Sequence, residues 1–251
     1  MVTIYDIAKK ANVSAMTVSR VINNSGKTKE STRKKVEQAI KELGYVPNSV
    51  ARGLISKQTK TLGLILPDIS NPFFAKLARG AEDKAHELGY RVLLSNTDED
   101  ASKELNYMDM VLSARVDGVL IAPTSDHSLE QINRLRAQDI PVVLIDRTIE
   151  GFTGDYVLGD SYEGSRKLME HLIEQGHHNI AFINGPSNIS TARERLRGYL
   201  ETLRLNELPV YEHYITEIDF KSIQAGDTKK KYRTIISFTF YKETYGHICG
   251  K

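Results

Sequence analysis

The most constraining feature of this 251-residue chain is its first 54 residues, where three short amphipathic helices are predicted in close succession. Thr3 and Asp6 have the spacing of a capping box, in which each side chain accepts a hydrogen bond from a backbone N–H at the start of a helix. A first helix is therefore predicted over residues 4–11, with its apolar residues on one face. Those inward residues are Ile7, Ala8 and Ala11.

Two further helices are predicted to follow the first. Ser14 is placed as the N-cap of a helix over residues 15–22, and a helix over residues 31–43 ends at Gly44, which can adopt the left-handed conformation that stops a helix. The inward residues are Val18, Val21 and Ile22 in the second helix, and Val36, Ile40 and Leu43 in the third. Two helices joined by a turn of a few residues form a helix-turn-helix, whose second helix enters the major groove of DNA.

Charge is distributed unevenly along the chain. Residues 1–58 hold 11 Lys and Arg against 4 Asp and Glu, a net charge of +7, whereas the remaining residues hold 23 against 28, a net charge of −5. A compact basic module beside an acidic body is typical of proteins that contact DNA phosphates. The alternative is a helical hairpin with a solvated basic face, and helix order and charge together favour DNA binding.

The outward residues of the second helix have side chains suited to DNA. Arg20 can form a bidentate hydrogen bond with guanine, and Met16 can contact a thymine methyl group. Thr17 and Ser19 can donate to phosphates, which set the register of a protein on DNA without reading sequence. Ala15 lies beside Met16 on the same groove-facing side. This helix is therefore the predicted recognition helix.

The runs YDIAKKANVSAMTVSRVIN and TRKKVEQAIKELGYVPNSVARGL resemble the DNA-binding domain of the lactose/galactose repressor family. The resemblance implies that Ala15 and Met16 set operator choice and that Arg20 contacts a base. It also implies a hinge helix over residues 48–54 that orders on the operator, with Leu54 wedged into the minor groove. The implied DNA-binding residues are Thr3, Tyr5, Ala15, Met16, Thr17, Ser19, Arg20, Asn23, Tyr45, Asn48 and Leu54.

One position departs from that family pattern. Relatives often cap the third helix with a small hydroxyl residue, where this chain has Lys29. We therefore expect Thr28 or Ser31 to supply the cap instead.

Beyond residue 60, short apolar runs alternate with helical patterns. Strands are predicted over residues 62–66, 91–95, 118–122 and 142–145, and helices over residues 72–88, 101–114 and 129–138. This alternation predicts a parallel sheet with helices on both faces. A second lobe is predicted from helices over residues 162–175 and 191–203 and a strand over residues 180–183. Leu105 and His171 are among the predicted inward residues of these helices.

The predicted fold is thus an all-α helix-turn-helix domain followed by an α/β core of two lobes, the second incomplete. The domains are residues 1–58 with the hinge, 59–160 as lobe one, 161–219 as partial lobe two, and 220–251 as an atypical tail. No apolar run approaches the roughly 20 residues of a membrane span. The chain begins directly with a capped helix, and its single cysteine cannot form an internal disulfide, so we expect a cytoplasmic protein without a signal peptide.

Polar and aromatic side chains follow the predicted strands. They lie in residues 68–74 after the first strand, in Asp146-Arg147 after the fourth, and in residues 185–195 in lobe two. The carboxyl ends of parallel strands meet at a crevice where ligands bind, and aromatic faces with charged groups suit a sugar. Each group has a structural alternative, namely a helix start, a core position, a local ion pair or, for Arg193 or Arg195, a solvated helix position. Together they predict a sugar site.

The runs NPFFAKLARGAEDKAHELGYRVLLSNTDED, IPVVLIDRT and STARERLRGY resemble periplasmic sugar-binding proteins and repressor cores, and the ribose-binding branch in particular. The resemblance covers about residues 61–203. It implies a ribose operon repressor that binds a palindromic double-stranded operator as a homodimer and responds to ribose or a related sugar. The residues implied to hold the effector are Asn71, Phe73, Phe74, Asp146, Arg147, Thr191 and Arg195.

Enzymatic motifs are missing from the sequence. It has no GxGxxG after a strand, no GxxxxGK[ST] and no GxSxG, and the pair His177-His178 lacks companions at metal-ligand spacing. We therefore expect no enzymatic activity, no cofactor and no metal. Two alternatives to the repressor stay open: a sugar-binding module without DNA regulation, and a DNA-binding remnant without effector response.

The α/β pattern stops near residue 220. The run DTKKKYRTIISFTFYKETYGHICGK has no clean helical stripe, and residues 235–241 fit either a strand by propensity or out-of-frame sequence. We expect a C-terminal truncation or a frameshift. An incomplete lobe would leave apolar faces uncovered, so dimerisation and effector response depend on how the shortened core folds.

Overall fold

The computed structural model describes residues 2–23, 25–45 and 58–218. The chain divides into an N-terminal unit, residues 1–60, and a C-terminal unit, residues 61–251. Asn48 and Leu54 of the predicted hinge lie outside the described residues, and so does the predicted tail over residues 220–251. None of the helices in the described part of the chain has both the length and the apolar character that a membrane span requires.

The N-terminal unit contains the three predicted helices, and their caps follow the local sequence. The Thr3 and Asp6 side chains form the predicted capping box, and Gly44 ends the third helix with φ 59°. Ser14 caps the second helix by accepting a hydrogen bond from the Thr17 N–H. The helices are α1 (Ile4–Ala11), α2 (Ala15–Ile22) and α3 (Glu30–Leu43).

The start of α3 differs from the prediction. Its N-cap is Lys29, whose side chain makes no capping hydrogen bond, so neither Thr28 nor Ser31 takes the cap position. Val36 of this helix is fully buried in a cluster shared with α1 and α2. Tertiary packing therefore stabilises a helix whose start is uncapped, as it does for most helices in proteins.

The first part of the C-terminal unit is a parallel sheet of five strands in the order β2-β1-β3-β4-β5. The strands are β1 (Thr61–Leu66), β2 (Arg91–Asn96), β3 (Gly118–Ile121), β4 (Val142–Ile145) and β5 (Asp155–Val157). The helices between them are α4 (Pro72–Glu87), α5 (Ala101–Ser113) and α6 (Leu129–Arg136). The edge strand β5 was not predicted, because it is only three residues long and fully exposed.

Both faces of this sheet are covered, as the sequence predicts. Along β1, Leu64 and Leu66 join a cluster with Phe74 of α4, whereas Ile65 joins a cluster on the opposite face with Met108 of α5. Side chains alternate between the faces of a strand, so the continuous apolar run of β1 supplies both clusters. Because all five strands are parallel, their carboxyl ends lie at the same edge of the sheet.

The second part of the C-terminal unit is a smaller parallel pair of strands with two helices. These elements are α7 (Ser161–Glu174), β6 (Phe182–Asn184), α8 (Ser190–Leu205) and β7 (Ile215–Glu217). Tyr199 is fully buried, stacks on Phe182 at 4.7 Å between ring centroids, and donates its hydroxyl hydrogen to the Ile180 carbonyl over 2.8 Å. His171 is exposed, which corrects its prediction as an inward residue.

Candidate functional site

Helix α2 presents Met16 and Arg20 to solvent on one side and buries Val18 and Val21 on the other. The Met16 side chain is 65% exposed, which is unusual for a residue of its size and hydrophobicity. Arg20 lies one helical turn further on, and its Nη2 is 3.6 Å from the Met16 sulfur. The two side chains predicted to read base edges therefore share one exposed strip of the helix.

The small polar residues of α2 and its flanks are engaged with one another. The Thr17 hydroxyl lies 2.9 Å from the Ser14 hydroxyl, and the Ser19 hydroxyl accepts from the Asn23 side chain over 3.2 Å. Ala15 is only half exposed, because it packs against the core of the helical unit. Part of its surface stays accessible, and its role in operator choice stays a prediction.

The remaining described residues of the predicted DNA set lie on α1 and after α3. Tyr5 is 73% exposed, and Thr3 is engaged in the capping box at the start of α1. Tyr45 packs partly against the helical core, and its N–H donates to the Ile40 carbonyl over 3.1 Å. Tyr5 can thus contact a ligand directly, whereas Thr3 and Tyr45 also have structural roles.

None of the four carboxylates of the N-terminal unit belongs to α2. Hydrogen bonds from Thr3 lower the pKa of Asp6, and Glu42 forms an ion pair with Lys10 over 2.6 Å. The other two carboxylates lie 3.9 Å from cations of their own helix, in the pairs Arg33–Glu37 and Lys34–Glu30. The exposed face of α2 therefore carries no negative charge that would oppose a phosphate backbone.

In the C-terminal unit, two predicted effector residues have structural roles at the start of α4. Asn71 caps the helix by accepting a hydrogen bond from the Phe73 N–H over 3.0 Å. Phe74 is 4% exposed and belongs to the core cluster below the sheet edge. Its ring also lies 5.8 Å from the Arg147 guanidinium and 4.9 Å from the half-buried Phe73 ring. Asn71 therefore acts as a helix cap and Phe74 as a core residue. Phe74 also borders the polar group around Arg147 at the carboxyl edge of the sheet.

Arg147 is the centre of that polar group. It follows β4 and is 4% exposed. Its Nη1 and Nη2 donate to the two carboxylate oxygens of Glu99 over 2.8 and 2.6 Å, and Nη1 also donates to the Pro123 carbonyl over 3.0 Å. Its Nε is 3.8 Å from the Asp146 carboxylate. The arginine is therefore held by groups from two other loops and faces the carboxylate of its own chain neighbour.

Glu99 was missed in the sequence. It lies in the loop after β2, and the rule that singled out the loops after the first and fourth strands applies to this loop as well. Neighbouring carboxylates in the run Asp98-Glu99-Asp100 hid it, because nothing local distinguishes the one that turns inward. The buried Glu104 of α5 was also missed. The prediction placed its neighbour Leu105 on the inward face of the helix, whereas Leu105 is exposed.

Glu104 anchors the loop between β3 and α6. It is 3% exposed, accepts from the Thr124 N–H over 2.7 Å, and accepts from the Ser128 hydroxyl. Burial raises the pKa of its carboxyl, and the hydrogen bonds from Ser128 and Thr124 and the charge of Arg147 oppose that shift. The loop that carries Pro123 is thus attached to α5 beneath the site.

The Asp146 carboxyl is influenced by the charges of two arginines, Arg147 and Arg195. Burial raises the pKa of this carboxyl, while the positive charges of Arg147 and Arg195 act in the opposite direction. The Asp146 backbone has φ 65°, a left-handed conformation that is uncommon for a residue other than glycine. The structure thus brings Phe74, Asp146, Arg147 and Arg195 of the predicted set to one place.

Helix α8 joins the two lobes near this place. The Ser190 hydroxyl accepts a hydrogen bond from the Thr148 N–H over 2.8 Å, and the next residue, Thr191, is buried. Arg193 is exposed and pairs with Asp126 of lobe one over 3.1 Å. Of the two arginines left open by the sequence, Arg193 is thus engaged in an ion pair between lobes, and Arg195 is the one whose charge acts on Asp146.

A cleft of about 440 Å³ lies beside this group, and it is lined in part by Thr148, Asp160, Tyr162, Ser190, Arg193 and Glu194. None of its lining residues belongs to the predicted effector set. The cleft and the polar group around Arg147 are therefore different places, and Asp146 and Arg147 of the predicted effector set belong to the polar group. The described residues contain no cluster of three or more His, Cys, Asp or Glu that could hold a metal ion.

Comparisons with known proteins match both parts of the chain. Residues 3–48 match the model of bacterial regulatory proteins, lacI family, and residues 59–226 match periplasmic binding proteins and sugar binding domain of LacI family. Catabolite control protein A of Priestia megaterium is 43% identical over 87% of this chain and 66% of that protein. The ribose operon repressor of Bacillus subtilis (strain 168) is 41% identical over 90% of this chain and 64% of that protein.

A solved structure agrees with these family matches. The lac repressor dimer bound to operator and the anti-inducer ONPF is similar with a TM-score of 0.73 and 30% identity, over 87% of this chain and 66% of that one. This chain thus spans about two thirds of the length of the relatives it matches. Similar proteins carry the names of regulators and repressors rather than of enzymes.

Proposed function

Because this chain belongs to the lacI family of bacterial regulatory proteins, we propose that it is a transcriptional repressor whose effector is a sugar. It binds a palindromic operator as a homodimer, and ribose or a related sugar controls that binding. Two relatives support the choice of partners through their names alone, one a ribose operon repressor and one a repressor dimer bound to operator.

The observation that carries the DNA-binding proposal is the exposed strip of α2. Met16 and Arg20 project from a helix without acidic residues, in a unit of net positive charge. An exposed arginine near the groove-facing end of a recognition helix can read guanine, and an exposed methionine can contact a thymine methyl group. Thr17, Ser19 and Asn23 then supply phosphate contacts that set the register.

The sugar proposal rests on the group around Arg147. Asp146 offers carboxylate acceptors, and Arg147 and Arg195 offer planar donors at the carboxyl edge of the sheet. Such a mixture suits vicinal hydroxyls, which donate and accept at once. Phe73, half-buried beside Phe74, supplies an apolar ring next to these charges, and Thr191 lies on α8 at the same junction.

Fluorescence anisotropy tests the proposal directly. The purified chain is titrated onto labelled DNA from upstream of its own gene and onto scrambled DNA at two salt concentrations, and ribose is then added. We expect binding to the upstream DNA about 10³-fold tighter than to scrambled DNA, with two chains per site and release by ribose. The variant Arg195→Ala should bind the same DNA without responding to ribose.

Other outcomes separate the alternatives. Weak and strongly salt-dependent binding to both DNAs, unaffected by ribose, would identify a phosphate-binding remnant. Ribose binding without preference for the upstream DNA would identify a sugar-binding module. Specific DNA binding that another sugar releases would keep the repressor and replace ribose as its effector.

A further inference from the structure

The guanidinium of Arg147 has two edges with different surroundings. All but one of its Nη hydrogens are engaged, by both carboxylate oxygens of Glu99 and by the Pro123 carbonyl. Its Nε is buried and has no hydrogen-bond partner among the described residues, although the Asp146 carboxylate lies 3.8 Å away. A buried polar N–H without a partner is uncommon in proteins and calls for an explanation.

The 3.8 Å gap between Nε and the carboxylate suits one hydroxyl group. A hydroxyl that donates to a carboxylate over about 2.7 Å can accept from an N–H over about 2.9 Å, and both contacts span such a gap. The Nε–Asp146 edge therefore has a donor and an acceptor in place, whereas the Nη edge is already held by both carboxylate oxygens of Glu99.

The backbone conformation at Asp98 and Glu99 indicates that the surrounding structure holds the Glu99 side chain in a defined position. Asp98 and Glu99 have φ 53° and 55°, so two successive non-glycine residues adopt the left-handed conformation. Such residues cluster at functional sites, where the surrounding structure holds them against their preference. Here Asp98 is held by Asn96 and Lys103, and the next side chain turns inward to Arg147.

We propose that Glu99 is a positioning residue of the effector site: it holds the Nη edge of Arg147 so that the Nε–H faces Asp146 and donates to one sugar hydroxyl, which in turn donates to the Asp146 carboxylate. This inference rests on the proposed sugar-binding function. Glu99 acts through Arg147 and does not itself contact the sugar. The opposite arrangement, in which Glu99 occupies the sugar's place and must be displaced, predicts the opposite effect of removing its charge.

The first test needs no sugar. In ¹⁵N spectra of the arginine side chains of the full chain, assigned with Arg147→Lys, the Arg147 Nη protons should be separately resolved because the bidentate pair slows guanidinium rotation. Glu99→Gln should merge these signals, while the matched surface variant Asp83→Asn, at an exposed pair with Arg79, should leave them unchanged. Unchanged Arg147 signals in Glu99→Gln would refute this positioning role.

The second test measures ribose affinity by calorimetry. Glu99→Gln should weaken ribose binding by at least about tenfold, because loss of a charge-assisted pair releases the guanidinium. Unchanged or tighter binding in Glu99→Gln would overturn the positioning role, and tighter binding would identify Glu99 as a competitor. If the wild-type chain binds no ribose, the proposed effector fails, and the first test still decides whether Glu99 fixes Arg147.

Discussion

The two units of this protein hold their functional charges in opposite ways. Arg20 of the N-terminal unit is exposed, and its nearest side-chain contact, Met16, is four residues away in sequence. Arg147 of the C-terminal unit is buried, and its partner Glu99 is 48 residues away. An exposed cation keeps its water until a ligand replaces it, whereas a buried cation must already be paired.

Because of this difference, we expect substitutions in the two units to affect ligand binding and folding stability differently. A substitution of Met16 or Arg20 on the exposed strip of α2 should change affinity for DNA and leave folding intact, because no buried group loses a partner. A substitution in the group around Arg147 should change folding as well as ligand binding, because it leaves another charge buried and unpaired. Four predictions follow the contrast from the largest expected effect to the smallest.

The largest effect is expected for Arg147→Met. Glu99, whose side chain is only 15% exposed, would lose its cation, so the free energy of unfolding of the C-terminal unit should fall by about 3 kcal/mol. Urea unfolding followed by circular dichroism and hydrogen exchange measures this loss. Arg79→Met, which removes an exposed arginine beside Asp83, is the control and should leave the transition in place. An equal loss in the free energy of unfolding for both variants would show that the buried and the exposed ion pair contribute alike to stability.

Gly198→Ala compares a glycine required by packing with one required by the backbone. An added Cβ at Gly198 would lie 2.6 Å from the Tyr162 carbonyl oxygen, so the α7–α8 contact should open at a cost of about 1–3 kcal/mol. Gly44→Ala should cost about 1–2 kcal/mol through its left-handed backbone alone. Gly80→Ala, in helix α4 with open space, should stabilise by about 0.5–1 kcal/mol. Thermal unfolding of the three variants tests whether the first two substitutions destabilise the protein and the third stabilises it.

Arg20→Ala should leave unfolding unchanged and weaken binding to the operator by about 1–3 kcal/mol, because one bidentate base contact is lost. Anisotropy on upstream and scrambled DNA measures the change. If both DNAs lose affinity equally, Arg20 contacts phosphate rather than a base. A lowered midpoint of thermal unfolding would show that this exposed arginine has a structural role.

The pH dependence of the two units should have opposite signs. The raised pKa of Glu104 gives stability that is complete below its unfolded value of 4.5 and is lost as pH rises through the folded pKa. The lowered pKa of Asp6 gives stability that is present above 3.8 and is lost as pH falls through the folded pKa.

Hydrogen exchange measured at pH values around the pKa values of Asp6 and Glu104 reports the stability of each unit separately. Glu104→Gln keeps an acceptor for Thr124 and a polar partner for Ser128, so its C-terminal unit should show less loss of stability above pH 4.5. A slope that is unchanged in this variant would assign the effect to Asp146, whose pKa burial also raises.

The helical unit was largely predictable because its signals are local. Thr3, Asp6, Ser14 and Gly44 act on backbone groups within four residues, and each cap lies where the sequence places it. The exception is the start of α3, where packing of Val36 replaces a cap. The alternation of strands and helices in lobe one was predictable for a similar reason, since apolar runs follow the period of the elements they bury.

The sequence by itself determined the helix-turn-helix, the exposed strip of α2, the parallel sheet and the strand ends from which Asp146 and Arg147 project. Only the tertiary structure decided that Glu99 pairs with Arg147, that Glu104 is buried beneath the neighbouring loop, and that Arg193 pairs across the lobes while Arg195 acts on Asp146. The physical reason is that a cap or an amphipathic face depends on residues a turn apart, whereas a buried charge depends on partners that folding brings together from 20 to 48 residues away.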